Sequence, residues 1–162
     1  MIFSDLTILN ALDSGRIVIF PYPKRECIQP ASVDLHLDNV FKDIDGNVTT
    51  DTYDLRPRDF VLGATSERIE LGDDVVATLA GKSSLARQGV IIEFAGYVDP
   101  GWRWKLTLEI CNVSDKLFTL KSGMKICQIV FFPTTTAVLR PYGYDGLGSH
   151  YQDSAEAENV KE

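Results

Sequence analysis

Within the stretch from Gly81 to Asn112, GKSSLARQGVIIEFAGYVDPGWRWKLTLEICN, the groups able to do chemistry gather at the two ends. At the first end, Lys82, Ser83, Ser84 and Arg87 combine two hydroxyls with two cations. Such a set suits an anion such as a phosphate chain, because hydroxyls and free amide groups at a helix start donate while Lys and Arg supply charge. At the other end Glu109 stands in an alternating run. It shares a face with Lys105 and Thr107, opposite Trp104, Leu106, Leu108 and Ile110. A carboxylate so placed either meets solvent, the commoner case on pattern alone, or lines a pocket where it can move a proton. Between the ends lies AGYVDPGW. Gly96 lets the backbone come close to a flat ligand. Asp99 precedes the Pro100-Gly101 bend, where an aspartate either caps the turn or reaches a ligand.

These groups need rigid elements beneath them. Residues 4–14 read as a short helix: Ser4 can cap it, Leu6, Leu9 and Leu12 recur near helical spacing, and Gly15 is a natural stop. RIVIF (16–20) is a β-rich run, and PYPKRECIQP a proline-bounded loop. In ASVDLHL, Val33, Leu35 and Leu37 alternate with Asp34 and His36, as in a half-buried strand. Asp45-Gly46 is a hairpin signal. From Phe60 onward short apolar runs (VVATLA, VIIEF, KLTLEI, LFTL, KICQIVFF) recur between turns. The expectation is an all-β sandwich or barrel with a short N-terminal helix. It occupies 1–152 as one domain, followed by a mobile acidic tail, 153–162.

With 162 residues and a net charge of −7, the chain does not read as one held to DNA or RNA by a broad basic surface, although a few clustered cations still suit a triphosphate. No apolar run approaches the ~20 residues of a membrane span. MIFSDLTILN lacks the basic and long apolar regions of a signal peptide. Cys27, Cys111 and Cys127 are odd in number and widely spaced, which suits reduced thiols and a cytoplasmic setting, in a cell or in the host of a virus.

QPASVDLHL (29–37), FVLGATSERIEL (60–71), GKSSLAR (81–87), AGYVDPGW (95–102) and LTLE (106–109) together resemble the dCTP deaminases, relatives of the trimeric dUTPases. The resemblance runs in order from Leu6 to Gln152. It implies a distorted, jelly-roll-like β-barrel of dUTPase type, a homotrimer with sites between subunits, and a deoxynucleoside triphosphate carrying Mg²⁺, with dTTP as a possible inhibitor. Glu109 matches the family's general acid/base, and Ser83 and Arg87 the residues that reach the reacting base from a neighbouring subunit. Lys82, Ser84, Leu85 and Ala86 fall in the segment that contacts the triphosphate. Ala95, Gly96 and Tyr97 would read the pyrimidine edge, and Asp99 would hold the deoxyribose 3′-hydroxyl. Thr107, Leu108 and Gln128 match further ligand contacts, and Tyr142 and Gln152 the segment that closes over the phosphates. Zinc is not expected, since His36 and His150 are the only histidines and no two cysteines lie close enough for a Cys-x-x-Cys arrangement.

The implied activity is hydrolysis of dCTP to dUTP and ammonia. The alternatives are a bifunctional enzyme continuing to dUMP, a dUTPase alone, and a non-catalytic nucleotide-binding module. Departures from the pattern keep them open. The stretch from Ser83 to Asp99 is one residue shorter than in typical dCTP deaminases and has the dUTPase length. Glu93-Phe94 replaces a His-containing segment, Trp104 a glycine, and DSAEAE the usual tail after Gln152; His150 stands where a cation is common. Asp99 also corresponds to the water-activating aspartate of dUTPases.

Overall fold

The computed structural model describes residues 1–43, 46–92 and 94–152. Helix α1 (Asp5–Asp13) starts at Ser4, whose Oγ accepts the Thr7 amide proton at 3.4 Å. It ends where Gly15 turns left-handed at φ +71°. The face it buries is Ile8, Ala11 and Leu12 rather than the expected Leu6–Leu9–Leu12 row. Leu6 is 64% exposed, because an i, i+3, i+4 stripe, not a strict three-residue step, faces the core.

Thirteen strands follow among the described residues: β1 (Ile17–Phe20), β2 (Ile28–Gln29), β3 (Ser32–His36), β4 (Val40–Asp43), β5 (Gly46–Thr49), β6 (Thr52–Leu55), β7 (Phe60–Leu71), β8 (Val75–Gly81), β9 (Val90–Ile92), β10 (Tyr97–Val98), β11 (Arg103–Asn112), β12 (Phe118–Lys121) and β13 (Lys125–Pro133). One sheet runs β5-β4-β7-β11-β9 with β1 also on β7, and a second runs β10-β8-β13-β3-β2. A small sheet pairs β12 with β6. Every pairing is antiparallel. A β4–β5 hairpin forms as expected, but Asp43 lies opposite Gly46, so Gly46 belongs to β5 rather than to the centre of the turn; Asp45 and the tail 153–162 lie outside the described residues.

Both main sheets feed one apolar cluster: Ile69, Leu108 and Ile110 from the first meet Leu35, Ile129 and Phe131 from the second, all fully buried. Each such side chain contributes roughly 1.5–3 kcal/mol of transfer free energy. The central pair is β7 with β11, which sets Glu109 opposite Leu62 and Thr107 opposite Ala64. Its ladder breaks once: Lys105 pairs with Arg68, so four residues of β7 are spent against two of β11. Thr65, buried at the break, closes it. Its Oγ1 accepts from Leu106 N at 2.9 Å and donates to Glu67 O at 2.8 Å. A buried backbone amide that lost its ladder partner is thereby satisfied.

Candidate active site

Glu109 reaches the protein surface at a cavity of about 490 Å³ between β11, β7 and the 94–99 segment. Leu106, Leu108 and Ile110 are buried and Thr107 is exposed, so the alternation read from the sequence sets the direction of Glu109 correctly. The carboxylate is not idle in the folded chain. Its Oε2 accepts from the amides of Phe94 at 2.8 Å and Ala95 at 2.9 Å. Gly96 O in turn accepts from Leu79 N at 2.7 Å, and Tyr97 and Val98 pair with Thr78 and Ala77 on β8. The loop is thus tied at one end to the carboxylate and at the other to the second sheet.

Asp99 lies on the same cavity wall, exposed, where the backbone turns through Pro100 and Gly101. Gly101 adopts φ +85°, and a Cβ there would come within 2.5 Å of Pro141. This close approach docks the C-terminal segment across the turn. Tyr142 N donates to Pro100 O at 2.8 Å, and Gln152 Nε2 to Gly101 O at 3.1 Å. Gln152 Oε1 accepts from Arg103 N at 3.3 Å, and the Tyr142 ring sits 5.2 Å from that of Trp102.

The cavity therefore collects Ala95, Gly96, Tyr97, Asp99, Thr107, Glu109 and Tyr142 from the residues expected by sequence. Gln152 borders an adjoining groove with Gly101 and Tyr142. Sequence reasoning missed the apolar floor of Leu62, Leu79 and Leu106, the aromatic rim of Phe60 and Trp102, and Tyr151. Only register brings those together, and register has no local signature.

The other expected residues fall elsewhere in this chain. None of residues 82–87 lines the cavity. They form one helical turn, α2 (Ser83–Ala86), with Leu85 buried, Ser83, Ser84, Ala86 and Arg87 exposed, and Arg87 at a separate groove beside Ser114–Phe118. Leu108 is fully buried in the core. Trp104 does not line the cavity; Arg68 lies over its ring at 5.1 Å.

Lys82 is bound to a different carboxylate. Asp34 on β3 takes Lys82 Nζ at 2.5 Å and Lys125 Nζ at 3.0 Å, and is 3% exposed. The expected half-buried strand is therefore buried on both sides, its polar face covered by the two lysines. Burial alone would push the Asp34 carboxyl up, but the two ammonium groups outweigh it and hold it below the usual carboxylate range. Gln128, opposite Asp34 on β13, accepts from Ser32 Oγ at 3.2 Å.

Comparison with known proteins gives the family and the fold. A family model described as dCTP deaminase-like matches residues 46–134. A relative from Methanosphaera stadtmanae, described as dCTP deaminase, dUMP-forming, is 36% identical over 186 residues, covering 99% of this chain and 94% of the relative. Among solved structures, the 2′-deoxycytidine 5′-triphosphate deaminase of Agrobacterium tumefaciens superposes with TM-score 0.68 at 20% identity over 86% of this chain. The match spans about half of that longer chain (49%). The EIAV dUTPase superposes with TM-score 0.58 at 19% identity, over 78% of this chain and 95% of its own. The distorted barrel of dUTPase type expected from the sequence is the fold observed.

Proposed function

The chain belongs to the dCTP deaminase-like family, and on that premise we propose that it removes the 4-amino group of dCTP as ammonia and carries the resulting dUTP on to dUMP and pyrophosphate. The observation that carries this reading is that Glu109 and Asp99 line one cavity, with the Ala95–Tyr97 loop between them. Glu109 takes a proton from water, the hydroxide adds to C4 of cytosine, and the same carboxyl returns the proton to the departing ammonia. The two amides on Oε2 fix the carboxylate's orientation, so Oε1 is the oxygen that meets the water. Ala95, Gly96 and Tyr97 hold the pyrimidine edge, with Thr107 beside it, and Asp99 holds the 3′-hydroxyl or aligns a water on the α-phosphorus.

Ser83 and Arg87 serve the cavity of a neighbouring subunit in a homotrimer, with Ser84 on the triphosphate, while Lys82 stays paired with Asp34. Support comes from the exposure of Ser83, Ser84 and Arg87 and from their absence from the cavity of their own chain. Tyr142 and Gln152 cover the phosphates. Among the described residues, no group of three or more His, Cys, Asp or Glu side chains is placed to hold a metal ion. Magnesium in this reading travels on the triphosphate oxygens, and no step is assigned to it.

The sequence by itself ranks the simple deaminase first. The description of the 36% identical relative as dUMP-forming favours the two-step enzyme instead. Incubation with dCTP and Mg²⁺, following ammonia and separating the nucleotides, tests the reading. Ammonia with dUMP and pyrophosphate supports it. Ammonia with accumulating dUTP reduces it to the first step, and no ammonia at all sinks it.

A further inference from the structure

A second cavity, about 430 Å³, shares no lining residue with the first. Its wall carries a three-residue relay. Cys27 Sγ lies 3.9 Å from His36 Nε2, and His36 Nδ1 lies 2.6 Å from Glu67 Oε1. The other oxygen, Glu67 Oε2, accepts the His36 amide proton at 2.9 Å. With both oxygens committed to one residue and only 7% of its surface exposed, Glu67 clamps the imidazole. A carboxylate on Nδ1 keeps the proton there and leaves the Nε2 lone pair facing the thiol. Deamination uses none of these three groups.

Several of the charged neighbours are tied to one another. Asp34 holds Lys82 and Lys125, and Lys125 also donates to Glu26 O at 3.0 Å. The imidazole faces Glu67 from β7, Lys125 from β13, and Cys27, Glu26 and Lys24 from the turn before β2. Ile19, Pro21 and Pro23 make the rest of the nearby wall apolar. Burial pushes the Cys27 thiol up, with Lys125 pulling the other way, so the sulfur rests protonated and needs a base to attack.

We propose that Cys27, His36 and Glu67 form a second, thiol-based site for a small uncharged soft carbon electrophile, with Cys27 as nucleophile, His36 as general base and Glu67 as positioning residue. Sulfur bonds to the electrophilic carbon as the thiol proton passes to His36 Nε2. With a haloacetamide the carbon–halogen bond breaks and the halide leaves with the electron pair. Uncharged reagents fit because the wall beside the thiol is apolar, formed by Ile19, Pro21 and Pro23, while the cavity's charges are of both signs.

Iodoacetamide labelling of the full native chain, mapped by peptide mass across the neutral pH range, tests this. Cys111 is the internal control, since it is more exposed than Cys27 and accessibility alone would label it first. The expected result is Cys27 labelled faster than Cys111 by about tenfold, its rate already high at neutral pH, below the range in which an unassisted thiol ionises. His36→Gln lowers the Cys27 rate by on the order of 100-fold and spares Cys111. Glu67→Gln moves the midpoint of the pH profile, which a merely structural role would leave in place. Cys111 reacting first in the wild-type protein, or a Cys27 rate that follows only thiol ionisation near pH ~8.5 and above, overturns the proposal without recourse to any variant.

Discussion

Two strand carboxylates, Glu109 and Asp34, both accept several N–H groups, yet they are opposites. Glu109 takes neutral amides from a neighbouring loop and opens on a cavity. Asp34 takes two ammonium ions and is 3% exposed. A carboxylate held by amides keeps its charge uncompensated and available for proton transfer. One that is neutralised by lysines has its charge committed to the fold. On the proposed reading, the difference separates a reactive group from a structural one where the residue type does not.

The sharpest way to break that contrast is Glu109→Gln. It keeps an oxygen for the two amides but removes the proton carrier. Ammonia release should fall by about 10³-fold or more while the thermal midpoint barely moves. Asp34→Asn should do the reverse. It strands two partly buried lysines at a cost of about 3 kcal/mol, read as a lowered denaturant midpoint. An Asp34→Asn protein as stable as the wild type would remove the distinction.

Gly101→Ala probes the cover over the Glu109 side alone. At φ +85°, with Pro141 2.5 Å from the new Cβ, the Pro141–Gln152 dock must shift. The expected strain is about 1–3 kcal/mol, appearing as a raised KM for the nucleotide more than a lowered kcat. The smallest effect is in acid. The folded pKa of Asp34 is lowered, so its stabilisation is full above the unfolded value near ~3.9 and is lost as pH falls through the lower folded value. Wild-type protein should therefore lose more stability than Asp34→Asn below about pH 4, measured by denaturant melts at stepped pH.

The same pair shows how much was legible in the sequence. Glu109 could be placed because its neighbours at alternate positions are large and apolar, and a strand has period two. Asp34 sits in an equally clean alternation, VDLHL, and reads as solvent-facing for that reason. Its partners lie 48 and 91 residues away, beyond the reach of any local pattern. The helix ends were legible at Ser4 and Gly15, whose roles are local, whereas the buried helix face was not, because tertiary contact chose it. Ser83 and Arg87 were found as residues, but in the folded chain they are exposed and lie outside the Glu109 cavity.

The extra stretch of β7 at Thr65 has a consequence for how this chain can change length. Four residues against two leave an even excess, so Val61, Ile69 and Leu71 stay buried on both sides of the break. A single-codon insertion or deletion between Thr65 and Glu67 would invert that parity, turning Leu62 away from the cavity or Ile69 out of the core. Gains and losses here are tolerable only in pairs, which makes this stretch a barrier to drift in length between the two halves of one strand.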